Sequence, residues 1–392
     1  MRILVIAPTP FFADRGCHVR ILGEIQALQE LGHEIKLCTY HLGKDIEGIE
    51  TIRTSNLPWY QKLSAGPSVH KIYIDALLLA KVAATCHSFR PDVLHAHLHE
   101  GITIGKVVSK WYGIPLVADL QGSLTEEILD HKFIPPWGWL VGMVRWIEKK
   151  VNEMPVHLIA SSTPTATLVK EKFGIDESRM TALGDGVNVK VFSRQEKDPA
   201  LMKQLGISAH DQVVVFIGVL TSYQGIDLLL EAIPTVLQAL PNTKFLCIGF
   251  PEEAYKEKAK HLGLEALALF PGKIPYAEAA RYLSLGHVAV SPKISSTEAN
   301  LKLFGYMAMG LPTVVFDNPI NREILGDLGV YAQNGDVQSL AGSLVRVLGD
   351  ESLREQLGAQ SHQKAADCYS WRAVGEQLAN LYGQVIRAKE IS

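Results

Sequence analysis

Short runs of apolar, often β-branched residues recur along this chain, and between them lie longer stretches with helical spacing. Such runs are what strands look like when both faces of a parallel sheet are covered, and parallel strands need crossover helices to join them. In the first half, strands are expected at 2–7, 34–39, 92–95, 115–119 and 157–161. Between the first two, the segment 17–31 repeats Val19, Leu22, Ile25, Leu28 and Leu31 at three-residue steps, and Gly32 supplies its stop. The second half repeats the theme, with strands expected at 213–218, 244–248, 267–270, 287–291 and 313–316 and helices near 225–239, 252–262, 276–284 and 301–309. Two successive strand–helix blocks predict an α/β chain with two doubly wound parallel sheets. The length of 392 residues agrees, because a single core stops growing at about 250–300 residues.

Composition narrows the classes further. Hydrophobic residues make up 47% and charged residues 20% of the chain, enough for two full cores and far from disordered or fibrous compositions. The formal net charge of −3 and the absence of a basic stretch exclude nucleic acid as the expected partner. Cys17, Cys38, Cys86, Cys247 and Cys368 are odd in number and never closely paired, the pattern of reduced thiols in a cytoplasmic protein. The apolar start before Pro8 is too short for a secretory leader and reads as the first strand. No run of about 18 uncharged apolar residues occurs, so a spanning helix is not expected.

In open parallel sheets, ligands bind beyond the carboxyl ends of the strands, where loops and helix N-termini present N–H groups. The first such loop runs from Pro8 to Gly16, a glycine that lets the backbone approach a bound group. The next carries His95-Ala96-His97-Leu98-His99-Glu100. Alternating histidines raise the question of a metal, but no further strong ligand stands near them in sequence. The preferred reading is no metal and one ligand-facing histidine, His97, the others being core or surface. Asp119-Leu120-Gln121-Gly122-Ser123 follows another strand and is placed to touch a polar ligand.

Two segments of the second half are more specific. Phe216 to Asp227 reads as a strand, a loop bounded by Gly218 and Gly225, and a helix start, so its amides can cradle a phosphate. Ser295 to Val315 carries Glu298, Asn300 and Lys302 into a helix that ends at Gly310-Leu311-Pro312. A sugar nucleotide asks for this equipment: Glu298 can accept from hydroxyls, Asn300 can donate or accept, and Lys302 can neutralise phosphate. The bland alternative makes Glu298 a helix-start carboxylate and Lys302 a solvated charge; it suits either residue alone better than the three together.

These segments, with Leu31-Gly32-His33-Glu34-Ile35, Pro91-Asp92-Val93-Leu94-His95-Ala96-His97, Asp185-Gly186-Val187-Asn188, Phe192, Gly225-Ile226-Asp227 and Tyr369-Ser370-Trp371, resemble the retaining GT-B glycosyltransferases over nearly the whole chain. This is the group 1, family 4-like set. The resemblance implies a GT-B type fold: an acceptor-side Rossmann-like domain over 1–192, a donor domain over 193–370 facing it across a cleft, and a last helix, 371–392, crossing back to the first domain. It implies transfer of a hexosyl-type residue from a nucleotide-diphosphate sugar to a glycan or lipid-linked acceptor in cell-envelope glycan synthesis, with no cofactor besides the donor. Carried over residue by residue, it makes Glu298, His97 and Gln121 catalytic and Gly16, Gly218, Tyr223, Gln224, Asn300, Lys302 and Leu303 donor-binding.

The departures from the family pattern are specific. The family's arginine and lysine after the first strand of the donor domain are replaced by Val219 and Gln224, its second glutamate by Gly305, and its His-Gly by Gln121-Gly122. Either this is an active branch in which Lys302, with Lys293, restores phosphate charge, or it is a degenerate protein that binds a nucleotide sugar without turnover. A sugar-nucleotide epimerase of the same plan is a third reading. A dehydrogenase is disfavoured, since no Gly-x-Gly-x-x-Gly follows the first strand.

Finally, 133–150 combines Phe133, Trp137, Trp139 and Trp146 with terminal Lys149 and Lys150, the composition of an interfacial anchor. Peripheral contact with the inner face of a membrane is one expectation for it, and an ordinary interdomain or core helix with its polar edge outward is the other.

Overall fold

The computed structural model describes residues 1–13, 16–61, 70–120, 122–130, 137–294 and 300–391. They form two units, residues 1–186 with 371–391, and residues 187–294 with 300–370.

The first unit is built on seven parallel strands: Arg2–Ala7 (β1), Glu34–Thr39 (β2), Glu50–Arg53 (β3), Val93–His97 (β4), Leu116–Leu120 (β5), His157–Ala160 (β6) and Met180–Ala182 (β7). Their order is β3-β2-β1-β4-β5-β6-β7. The second unit holds six: Gln212–Ile217 (β8), Thr243–Ile248 (β9), Ala268–Gly272 (β10), Val288–Ser291 (β11), Thr313–Phe316 (β12) and Gly329–Ala332 (β13), in the order β10-β9-β8-β11-β12-β13. In each sheet the order reverses once, between β1 and β4 and between β8 and β11. There, successive crossovers leave for opposite faces and open a crevice at the carboxyl ends.

Every strand expected from the sequence is present. Three more, β3, β7 and β13, lie at sheet edges. An edge strand pairs on one side only, so Glu50-Thr51-Ile52-Arg53 manages without a continuous apolar run. The strand expected at 92–95 continues to His97 as β4, so that His97 joins His95 in the sheet.

Side chains alternate across a strand, and the two faces of the first sheet differ. Leu4, Ile6, Leu94, Ala96, Leu116 and Ala118 pack with Ile74, Leu78, Val82 and Phe89 of helix Lys71–Phe89. That stretch, 70–89, has the length and apolarity to cross a membrane, but these residues of it belong to the domain core. The opposite face meets helices Gly16–Glu30 and Trp371–Ile391. Small residues allow those two helices to close: a Cβ on Gly23 would fall 2.0 Å from the Trp371 ring, and one on Gly375 would fall 2.7 Å from Ala27 Cβ.

In the second unit, Val214, Phe216, Phe245 and Val290 pack under helices Ile226–Ala239 and Val337–Gly349, while Val213, Val215, Leu246 and Ala289 face Leu303, Phe304 and Met307 of helix Lys302–Ala308. Gly225 joins the β8 loop to its helix with φ at +78°, and a Cβ there would sit 1.8 Å from the Pro292 carbonyl oxygen. Gly225→Ala is therefore expected to destabilise the protein by at least about 2 kcal/mol in denaturant unfolding. A change below about 0.5 kcal/mol, the size of an ordinary surface substitution, would contradict this packing.

Candidate active site

At the switch point of the second sheet, β8 runs into Gly218, and a short turn, Ser222–Gln224, ends at Gly225. Beyond β11, the Ile294 N–H donates to the Tyr223 carbonyl at 3.0 Å and joins the two loops. Lys302, first residue of its helix, reaches into the same place. Its Nζ donates to Gln224 Oε1 at 2.5 Å and lies 4.9 Å from the centre of the Phe216 ring. A Cβ on Gly218 would be 3.1 Å from Lys302 Cε, so the absence of a side chain at 218 makes room for the lysine. The fold thus brings together Gly218, Gln224 and Lys302 at the carboxyl end of β8, with the half-buried Tyr223 beside them.

The other residues expected on the donor side have different surroundings. Asn300 is 3% exposed and donates Nδ2 to Asn321 Oδ1 at 2.8 Å and to Ser291 Oγ at 3.1 Å. Asn321 in turn donates to the Phe316 carbonyl, so this network ties the ends of β11 and β12 together. The side chain of Leu303 is fully buried in the core, and its N–H donates to the Asn300 carbonyl. Tyr306 accepts the Ile217 N–H at its Oη, 2.9 Å away, and pins the end of β8. At Gly305 a Cβ would meet Phe192 no closer than 3.5 Å, so packing does not demand a glycine there. Glu298 lies outside the described residues.

In the first unit, Gly16 is exposed at the start of its helix. His18 folds the preceding loop: its Nδ1 accepts the Ala13 N–H at 2.9 Å and its Nε2 contacts Thr9 Oγ1 at 2.7 Å. Gln121 lies outside the described residues, but the turn after it is fixed by the buried Glu148, which accepts the N–H groups of Leu124 and Thr125, each at 2.9 Å.

His97 is 1% exposed and belongs to a buried polar cluster. Its Nδ1 lies 3.1 Å from Asp119 Oδ2 and its Nε2 3.6 Å from Glu24 Oε2. The His95 ring stacks on it at 4.4 Å and hydrogen-bonds Tyr382 Oη from the C-terminal helix. Arg20 holds the cluster, with Nε 2.6 Å from Asp119 and 3.0 Å from Glu24, and Nη1 2.8 Å from Asp185. Burial alone would raise the Asp119 carboxyl, but the Arg20 charge and the His97 hydrogen bond hold it well below the usual carboxylate range. For Glu24, burial prevails over Arg20 and pushes the carboxyl well up. Burial, helped by His97, pushes His95 well down.

Sequence reasoning missed Arg20, Glu24, Asp185 and Tyr382. Two signals pointed to the first pair: Arg20 and Glu24 are one helical turn apart, and they interrupt the buried stripe of their helix. Asp119→Asn would leave Arg20 buried with less counter-charge, and a loss of about 3–5 kcal/mol is expected. Because the folded Asp119 carboxyl sits below its unfolded value, its contribution is complete above about pH 4 and disappears as the pH falls further. Urea titrations of both proteins at pH 7 and pH 3 check this; an undiminished gap at pH 3 contradicts it.

Two doubly wound parallel sheets with this strand order define the GT-B class. The chain belongs to the group 1 glycosyltransferases: a family model described as glycosyl transferase 4-like domain matches residues 15–186, and one described as glycosyl transferases group 1 matches residues 211–350. A phosphatidyl-myo-inositol mannosyltransferase of Mycobacterium leprae is 24% identical, the alignment covering 98% of this chain and 97% of the relative. A D-inositol 3-phosphate glycosyltransferase of Corynebacterium diphtheriae is also 24% identical, over 76% of this chain and 72% of that protein. Among solved structures, sucrose-phosphate synthase from Thermosynechococcus elongatus superposes with a TM-score of 0.81 at 18% identity, covering 99% of this chain and 100% of that one. Anabaena HepE in complex with UDP gives 0.77 at 18% identity, covering 98% and 100%. The two structural likenesses speak for the fold; the family match makes the chain a glycosyltransferase.

Proposed function

We propose that this enzyme transfers a hexosyl-type residue from a nucleotide-diphosphate sugar to a glycan or lipid-linked acceptor, with retention at the anomeric carbon. The observation that carries the reading is the Lys302 ammonium, held by Gln224 against Gly218 at the carboxyl end of β8. Breaking the bond between sugar and diphosphate leaves negative charge on the departing oxygens, and a cation fixed there in advance stabilises it without reorganisation. The family places a lysine where Gln224 stands; here Lys302 brings the charge from the helix that follows β11. Glu298 holds the sugar hydroxyls, Tyr223 and Gln224 bond phosphate or ribose, and Gln121 takes the place of the family's histidine. The acceptor oxygen bonds to the anomeric carbon on the face the diphosphate leaves, and a phosphate oxygen receives its proton.

Two comparisons support the donor and acceptor classes. Structures of Anabaena HepE contain UDP and UDP-glucose, and a relative's name couples mannosyl transfer to a phosphatidyl-inositol. The replacements Val219, Gln224 and Gly305 favour the second reading, a protein that binds nucleotide sugar without turnover. Donor screening separates the two: a transferase releases nucleotide diphosphate when acceptor is supplied, whereas a binding protein gives a thermal shift and no release. Lys302→Ala is expected to lower kcat by about 100-fold or more. Unchanged kcat in both Lys302→Ala and Glu298→Gln rules out this site.

For the acceptor we infer a membrane source, reached through helix Gly138–Asn152. Its Trp137, Trp139 and Trp146 are 58%, 69% and 62% exposed, and Met143 and Ile147 are exposed with them. Lys149 and Lys150 follow in the last turn. This stripe faces away from the core of its own domain, while Glu148, Val151 and Asn152 face inward. Residues 133–136 of the aromatic segment lie outside the described residues. Flotation with anionic vesicles should carry the wild-type protein upward and leave a Trp137→Ser, Trp139→Ser variant largely behind; equal, negligible flotation of both excludes the contact.

A further inference from the structure

The buried cluster of the first domain has a geometry that hydrogen bonding leaves incomplete. Glu24 Oε2 lies 3.6 Å from His95 Nε2 and 3.6 Å from His97 Nε2. Both separations exceed hydrogen-bond reach. Both Glu24 oxygens and His95 Nε2 are fully buried without a hydrogen-bond partner among the described residues. Two donors bound to one tetrahedral zinc at about 2.0–2.1 Å stand roughly 3.4 Å apart, close to these spacings.

From this we propose that Glu24 Oε2, His95 Nε2 and His97 Nε2 form a site for a first-row divalent cation of the zinc class inside the first domain, apart from the donor residues of the second.

Three further features fit. His95 has its other nitrogen engaged, Nδ1 pairing with Tyr382 Oη, while His97 Nδ1 lies at an ion-pair distance of 3.1 Å from Asp119 Oδ2 without a directed hydrogen bond among the described residues. The Tyr382 hydroxyl thus fixes the His95 imidazole as an outer partner fixes a ligating histidine, so that Nε2 faces the ion. Arg20 takes the other side of Glu24, 3.0 Å from Oε1, and leaves Oε2 to the cation. The charges agree as well: with Glu24 bound as its carboxylate, three buried carboxylates, Glu24, Asp119 and Asp185, surround a single guanidinium. A divalent cation with neutral imidazoles balances them. A set of two imidazoles and one carboxylate is borderline in softness and selects zinc over magnesium or calcium.

The full-length, tag-free protein tests this. Isolated without added metal, it should carry about one equivalent of a first-row metal by mass spectrometry. Chelation should lower Tm, and zinc should restore it where magnesium does not. Glu24→Gln should abolish binding. Tyr382→Phe keeps the ring and removes only the hydroxyl that orients His95, so it should weaken zinc binding by about 10–100-fold. Less than about a tenth of an equivalent in the wild type, with no rise in Tm on adding zinc, overturns the site. So does wild-type zinc affinity in Tyr382→Phe, whether or not Glu24→Gln folds.

Discussion

Arg20 is the interaction on which the first domain depends. One buried guanidinium joins helix Gly16–Glu30 by two bonds to Asp119 on β5 and by one to Asp185 at the end of the domain, and a fourth bond reaches the Leu183 carbonyl. Removing such an ion from water costs several kcal/mol even after relaxation, and only near-ideal geometry with every donor used offsets that cost. Arginine suits the task because its planar fork can meet several acceptors at fixed angles, which a lysine cannot do. Hydrophobic packing would have joined these elements at lower cost. The charges therefore bring positional precision: they fix where the ends of β4 and β5 stand relative to the first helix, beside the switch point of that sheet.

The second domain reaches the same end by different means. Its switch point is held by neutral hydrogen bonds, Tyr306 to the Ile217 amide and Asn300 to Asn321 and Ser291, each buried and each joining a strand end to a neighbouring element. Neutral bonds are individually modest, worth about 0.5–1.5 kcal/mol, but leaving any one of these groups unpaired costs more than the bond contributes. Asn300, Leu303 and Tyr306 thus act as the frame, and Gly218, Gln224 and Lys302 lie beside it at the carboxyl end of β8.

The parts of this molecule that were legible in the sequence are those set by short-range pattern. Buried parallel strands must be apolar on both faces, so β1, β8 and β12 announce themselves, whereas β3 escapes because an edge tolerates Glu50 and Arg53. The pairing of Gly218 with Lys302 could be anticipated as membership of one sheet's ligand end, since topology alone places those loops together. The environment of His97 could not. Spacing reveals that His95 and His97 share a strand face, but their partners Glu24, Asp119 and Tyr382 come from three other elements, and only the register of β4 on β5 sets His97 opposite Asp119.

The exchange of a loop cation for a helix cation alters more than position. A lysine in the loop after β8 would start from the turn Ser222–Gln224, whereas Lys302 begins a helix whose Leu303, Phe304 and Met307 are locked in the core, so its stem starts from a fixed point. Gln224 then does for Lys302 what a carboxylate could not. As a neutral acceptor at 2.5 Å it orients the ammonium without cancelling its charge. A glutamate there would bind the lysine more strongly, but its own negative charge would cancel that of the ammonium. Gln224, which stands where the resemblance places a lysine, is in three dimensions the neutral acceptor that orients Lys302.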